Sequence, residues 1–503
     1  MPKLFIFAIG GTGARVMKSL TMLLASGVKP MNRYEDFEIV PIIIDPHKSN
    51  EDLKRTLSLL DYYQKITYKV GNSNGFFGTR ISTLDNLVST QNRLAGSFSF
   101  NLQDVSNIKF KEYIDYNLLD ESNRALADLL FSGKSIDQHG NQVDLLDVKM
   151  DIGFVGNPNI GSVVLNQIKY SEEFIEFASN FGENDRIFII SSIFGGTGAA
   201  GFPSLLKNIR DARNNNRIDS AGFLENSKIG AVTVLPYFNI EKNEESPIQK
   251  SDFISKTKSA LTYYMDNVNS SVNAMYYLAD DYSGKPYPND PGNGGQKNNA
   301  HFIELAAALA VIDFLEIPSD ELISESGRAV SPIVKEFGIK SDKTELNFGD
   351  FAEYTEKKLS MRLSQLALFK KYIDKQLMNS VEREPWSEDE PKIDRHFTND
   401  SFYKSNLTEF LNAYREWLDE MSGNRRSFSP INFDAAIEKL VEGKKAETPW
   451  YSRKLDFKTI DDQLNRTAKK EGAGYNSAEE KFVALFFKAT EEILKSKYGI
   501  LTN

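Results

Sequence analysis

The stretch Arg186–Ala212, RIFIISSIFGGTGAAGFPSLLKNIRDA, decides the reading of the fold. It opens on an apolar run (Arg186–Phe194), turns on Gly195-Gly196-Thr197-Gly198-Ala199, and continues in a helical pattern through FPSLLKNIRDA. A run of Ile and Phe without polar alternation is the pattern of a strand buried on both faces, hence of a parallel sheet covered by helices. The pentapeptide occurs twice. Gly10-Gly11-Thr12-Gly13-Ala14 follows the run KLFIFAI (Lys3–Ile9) and leads into ARVMKSLTMLLASG, a helical pattern closed by Gly27.

Further runs of the same kind are FEIVPIIID (Phe37–Asp45), KIGAVTVLPYF (Lys228–Phe238) and AMYYLAD (Ala274–Asp280). They alternate with helical patterns, so residues 1–316 read as a doubly wound, mostly parallel α/β domain. Residues 49–149 interrupt the rhythm as a long, polar excursion with helices, for example near Tyr113–Leu130. SGKPYPNDPGNGGQKNN (Ser283–Asn299) is a loop by its Gly, Pro and Asn content. AHFIELAAALAVIDFLE (Ala300–Glu316) is apolar all round, the pattern of a helix buried on every side.

Beyond Glu316 the pattern changes. Leu359, Leu363, Leu366, Phe369, Ile373 and Leu377 fall at helical spacing, and Ser401–Met421 is amphipathic. Ser477 with Glu480 reads as a capping box for a last helix that ends near Gly499. Residues 317–503 are therefore expected to form a mainly α-helical C-terminal domain.

The chain of 503 residues carries 60 Lys+Arg against 70 Asp+Glu, a net charge of −10. That balance argues against nucleic-acid or membrane-surface binding driven by bulk charge. The absence of cysteine excludes disulfides, thiolate zinc sites and a cysteine nucleophile, and fits a reducing cytoplasm. No apolar stretch is long enough to span a bilayer. The expected location is the cytoplasm.

The two glycine turns are the best candidates for chemistry. Glycine permits positive φ and lets backbone N–H groups approach an anion, and a helix N-terminus adds partial positive charge. One such turn is as well explained by tight strand-to-helix geometry. Two at equivalent positions favour phosphate binding. Neither is a Walker A loop. The single GK[ST] match, Gly133-Lys134-Ser135, has Asp128 in place of the first glycine and follows a helix. Gly71-Asn72-Ser73-Asn74-Gly75 fits G-x-S-x-G, but its composition says turn rather than nucleophile elbow. His47, His139, His301 and His396 lack zinc-site spacing, and His301 reads as a cap or core residue.

FGGTGAAGFP (Phe194–Pro203) resembles the GGGTGSG signature of the tubulin/FtsZ family, and Gly10–Ala14 resembles that family's N-terminal glycine loop. Asp45 is similar to the acidic residue that ends the family's second strand. Gly156-Asn157-Pro158-Asn159-Ile160-Gly161 resembles its γ-phosphate-sensing loop, and Pro236, Tyr237, Phe238 and Glu241 resemble its sugar-contacting loop. The helix 300–316 resembles the central core helix, with Asn299 where a side chain meets the base.

The resemblance implies GTP or GDP bound by Gly10, Gly11, Thr12, Gly13, Gly156, Asn157, Gly195, Gly196, Thr197, Gly198, Glu241 and Asn299. Mg²⁺ would lie on phosphate oxygens, with Asp45 reaching it through water. Arg15 either neutralises phosphate charge or is an exposed helix arginine. Self-assembly head to tail, into oligomers or filaments, would complete a GTPase site across subunits.

Several positions depart from the pattern. Phe194 stands at the signature's first glycine, Ala199 and Ala200 replace its later small residues, and the C-terminal region is helical where the family's is β-rich. The family's acidic NxD loop has no clean counterpart. Asp320 and Asp350 are weak catalytic candidates, each expected as a solvated surface acid. A second reading is therefore a nucleotide-sensing scaffold that binds without efficient hydrolysis and docks a partner protein through its helical region. A third, an NAD(P) enzyme using Gly10–Ala14 alone, leaves the second pentapeptide unexplained.

Overall fold

The computed structural model describes the chain except residues 31–35, 49, 72–74, 89–95, 103–104, 106–107, 137–141, 151–153, 155–156, 220, 238–249, 281–297, 324–331, 336–342, 445, 447–454, 473 and 502–503, together with the side chains of 250–254. Among the described residues six strands form one sheet: β1 (Lys3–Ile9), β2 (Glu38–Ile44), β3 (Arg186–Ser192), β4 (Lys228–Val234), β5 (Ala274–Leu278) and β6 (Ile333–Lys335). Their order is β2-β1-β3-β4-β5-β6, and every pairing is parallel. The first three strands are buried almost throughout, as their unbroken apolar runs require. The short β6, in SPIVKEF, has no strand-like run and was not expected.

Helices cover both faces. On one lie α1 (Gly10–Ala25) and α7 (Phe302–Glu316), packed against each other. On the other lie α3 (Pro158–Asn166), α4 (Glu172–Ser179), α5 (Thr197–Arg210) and α6 (Lys250–Asn267). The side chains record the division. Phe5 and Phe7 meet the α4 ring Phe177 edge-on at 5.0 and 4.9 Å, whereas Phe188 meets Phe314 of α7 at 5.5 Å. The buried Arg186, first residue of β3, donates to the Phe314 and Ile317 carbonyls at the tail of α7, both at 2.9 Å. A cation there satisfies the last carbonyls and suits the negative helix end. It also sets the direction of α7: tail at the amino ends of the strands, head at their carboxyl ends.

Within the excursion, α2 (Glu51–Val70) is a long helix that the polar composition concealed. Its signal is present: Asn50 caps it, and Leu53, Leu59, Leu60, Tyr63, Ile66 and Val70 make one buried stripe. The short helix Glu121–Leu130 falls in the expected place. Lys134 opens a small hairpin and pairs with Asp144, so Gly133-Lys134-Ser135 is no phosphate loop.

From residue 353 onward the described chain is mostly helical, with α8 (Glu353–Lys375), α9 (Thr408–Ser422), α10 (Phe457–Glu471) and α11 (Ala478–Tyr498). Both α9 and α11 pack on α2. Ser477 caps α11 by accepting from the Glu480 N–H at 3.1 Å, but the Glu480 carboxylate takes the Asn476 N–H instead of completing a box. Gly499 ends the helix in the left-handed region.

Candidate functional site

The strand order contains one reversal. From β1 the chain moves outward to β2, and from β3 it moves the other way through β4 and β5. Loops that follow the two strands at such a point diverge to opposite faces and leave a crevice at their carboxyl ends. The two strands are β1 and β3, and the two loops are the two GGTGA pentapeptides.

The helices start directly in or after the pentapeptides. α1 begins at Gly10, four residues earlier than its helical pattern indicates, while α5 begins at Thr197. Gly10 (φ +71) and Gly195 (φ +87) turn the chain through the left-handed region, which a side chain disfavours. Gly13 and Gly198 have a different reason. A Cβ at Gly13 would lie 2.6 Å from the Ala8 carbonyl carbon, and one at Gly198 would lie 2.7 Å from the Ser192 Oγ. These two are glycine so that each helix can press onto its own strand. Gly11 and Gly195 have room beside them: 3.8 Å to the nearest atom at Gly11, and nothing within 4 Å at Gly195.

The loops meet. A Cβ on Gly10 would stand 3.4 Å from Thr197 Cβ and 3.5 Å from the Gly198 nitrogen. A third helix joins them, since Gly161 in the first turn of α3 passes so close that its Cβ would fall 2.9 Å from the Gly196 carbonyl oxygen. None of α1, α3 and α5 has a side-chain cap or an acidic residue in its first turn. Three positive helix ends thus converge with their first N–H groups uncapped by side chains, an arrangement suited to a multiply charged anion.

Asp45 follows Ile44, the sheet partner of Ile9, and so stands beside Gly10. Burial pushes its carboxyl from 3.8 up to about 7, opposed by the His47 N–H that donates to it at 3.0 Å. Asn157 precedes α3 and donates to Ser135 Oγ at 3.3 Å. Gly156, Phe238 and Glu241 lie outside the described residues.

Beneath the first pentapeptide is a buried set of alternating charges. Arg15 is 8% exposed, which overturns its reading as an exposed helix arginine. Its Nε sits 2.8 Å from Glu304 on α7, its Nη1 3.7 Å from Asp52 on α2, and it donates to the Tyr237 hydroxyl. Burial works against the guanidinium's charge, but Tyr237, Glu304 and Asp52 outweigh it and its pKa is raised. Burial raises Glu304, with Arg15 opposing. The set continues through Arg55, 3.5 Å from Asp52, to Glu420 of α9, which also takes Lys18 at 2.9 Å and the Ala300 N–H at 3.0 Å.

Tyr237 was expected on a sugar-contacting loop. It is buried instead, held between Arg15 and Glu304, with its ring 4.9 Å from His301. No local sequence spacing announces this set, because its members come from positions 15, 18, 52, 55, 237, 304 and 420. His301 caps α7: its Nδ1 accepts the Ile303 N–H at 3.1 Å, and burial lowers it to about 4, so the imidazole is neutral.

Asn299 at the head of α7 is exposed, and it lines an open hollow whose other wall is α9: Asn412, Arg415, Glu416, Asp419 and Glu420. The two candidate acids lie apart. Asp320 is exposed just past the tail of α7, at the opposite end of the sheet from the glycine loops. Asp350 is no solvated acid: it is buried, takes the Asn347 N–H at 2.9 Å and Lys343 at 3.0 Å, and caps the turn Phe348–Asp350.

No family model and no curated protein sequence matches the chain. Among solved structures the chain is similar to CetZ from Methanosaeta thermophila strain DSM 6194, at 12% identity and a TM-score of 0.30, over 65% of this chain and 57% of that one. The chain thus spans little more than half the length of the structure it matches. The fold assignment rests on strand order and pairing. Among the described residues, no helix is long and apolar enough to cross a membrane.

Proposed function

We propose that this protein binds a guanine nucleotide in the manner of the tubulin/FtsZ family, with the phosphates held by the backbone of both pentapeptides. The observation that carries this reading is the meeting of three uncapped helix N-termini, none with an acid in its first turn, at the switch point of the sheet. The open space beside Gly11 and Gly195 is where phosphate oxygens fit. Mg²⁺ would neutralise phosphate charge there, with the Asp45 carboxylate holding one of its waters. Calorimetric titration of the full chain with GTP, GDP and inorganic triphosphate tests the reading. One site per chain supports it, and absence of binding to all three refutes it.

Turnover is a separate matter. Asp350 is committed to its turn, and Asp320 lies a helix length from the loops of its own chain, about 22 Å for the 15 residues of α7. An acid at Asp320 would act only on a nucleotide held by a second copy, stacked head to tail. Specific GTPase activity that rises with protein concentration, and falls in Asp320→Ala, supports a self-assembling GTPase. Tight binding with neither turnover nor light scattering supports the second reading, a nucleotide-sensing scaffold. That reading draws on the salt bridges that tie Lys18 of α1 and Arg55 of α2 to Glu420 of the C-terminal helix α9.

A further inference from the structure

The hollow beside Asn299 points to a role for α9 that the fold of the nucleotide-binding half does not supply. A short series of contacts leads to it from the first pentapeptide. The Asn50 side chain lies 3.8 Å from the space beside Gly11, and its Oδ1 takes the Asp52 N–H at 2.8 Å. Asp52 in turn takes the backbone and side-chain N–H groups of Asn298, at 3.3 and 3.1 Å. Asn299 follows, and its Nδ2 lies 3.9 Å from the space beside Gly423, which closes α9. A nucleotide with its phosphates on the glycine loops and its sugar over the start of α2 would turn its base toward this hollow, which lies open between Asn299 and α9.

Asn412, Glu416 and Asp419 repeat at helical spacing on α9 and face Asn299 across the hollow. Of the carboxylates here, Glu420 is occupied by Lys18, Arg55 and the Ala300 N–H, and Glu416 is drawn 3.4 Å toward Arg55. Asp419 has Arg415 of its own helix at 3.5 Å and a side chain 60% exposed. Its neighbour Glu420 pins the helix to α1, α2 and the head of α7, so this wall is fixed in place.

We propose that α9 reads the base, with the Asp419 carboxylate accepting the N1–H and 2-amino group of guanine while the Asn299 amide donates to O6. This rests on the nucleotide reading above. A carboxylate accepts only, and a carboxamide offers both donor and acceptor. Guanine presents two donors and an acceptor along that edge. Adenine presents a lone pair at N1, which a carboxylate repels. Specificity in this chain would then reside in the C-terminal helical region.

The test uses the full chain, calorimetry, and four probes: GTP, XTP, ATP and inorganic triphosphate. Asp419→Asn should lower GTP affinity at least tenfold, raise XTP affinity because the new amide donates to the 2-oxygen of xanthine, and leave inorganic triphosphate unchanged. Asp419→Ala should lose GTP affinity without gaining XTP. Unchanged GTP affinity in Asp419→Asn overturns the proposal. So does a parallel loss of inorganic triphosphate, which would show an effect on the phosphate loops. A wild-type chain that binds inorganic triphosphate and all three nucleotides alike overturns base reading by α9 but leaves the phosphate site standing. A wild-type chain that binds none of the four overturns both.

Discussion

The two copies of Gly-Gly-Thr-Gly-Ala share a sequence and a place after a strand, yet they are held in different ways. The first is part of its helix from Gly10 onward and rests on a buried set of charges, with Arg15 and Lys18 of α1 tied to Glu304, Asp52 and Glu420. The second stands clear of its helix by two glycines, exposes Gly195, and is pressed instead against the first turn of α3 at Gly161. The same five residues thus give a loop anchored by ions and a loop anchored by close packing. The shared glycines are the fourth, against the strand, and the first, at positive φ. The ionic anchor reaches α9 and the packed one does not.

The largest effect should come from breaking the ionic anchor. Removing one partner of a buried ion pair strands the other charge and costs about 3–5 kcal/mol. Glu304→Ala should destabilise the chain by that order in urea unfolding. A loss below about 1 kcal/mol would show that Arg15 has other means of compensation.

Next come the two glycines against the strands. Gly13→Ala and Gly198→Ala each force a Cβ to within 2.6–2.7 Å of a neighbouring atom. Overpacking of that kind costs about 1–3 kcal/mol. Gly11→Ala, with 3.8 Å of room, should be neutral or slightly stabilising, since alanine is the better helix former. Equal melting temperatures for all three variants would contradict the packing account.

A smaller effect concerns Asp45. Its folded pKa of about 7 lies above its ordinary 3.8, so the folded chain keeps a proton that the unfolded chain releases between those values. Its contribution to stability therefore falls as pH rises from about 4 to about 7. Asp45→Asn removes this dependence and should gain melting temperature relative to the wild type as pH goes from 5 to 8. A difference that stays constant over that range would contradict the buried, partly protonated state.

Legibility in the sequence followed the range of the interactions. Strands β1 to β5 were readable because each is a local apolar run, and the pentapeptides because glycine has a local steric meaning. His301 as a cap was readable for the same reason. The three-residue β6 and the helix α2 were missed, the first for shortness and the second because its buried stripe is diluted by charge. The burial of Arg15, Tyr237 and Asp350 was not legible. Each is fixed by partners that only the fold brings near: Glu304 for Arg15 and Tyr237, and Lys343 with the Asn347 backbone for Asp350. That the two pentapeptides meet, Gly10 against Thr197 and Gly198, depends on strand order, which no single segment encodes.

The central claim is that the two pentapeptides, though anchored differently, make one phosphate site. Calorimetric titration of GTP into the wild type, Gly11→Val and Gly196→Val tests it most directly. One nucleotide per chain is expected, with each variant folded and weakened at least tenfold, about 1.4 kcal/mol. Unchanged affinity in either folded variant would contradict the claim, because the corresponding loop would then lie outside the site.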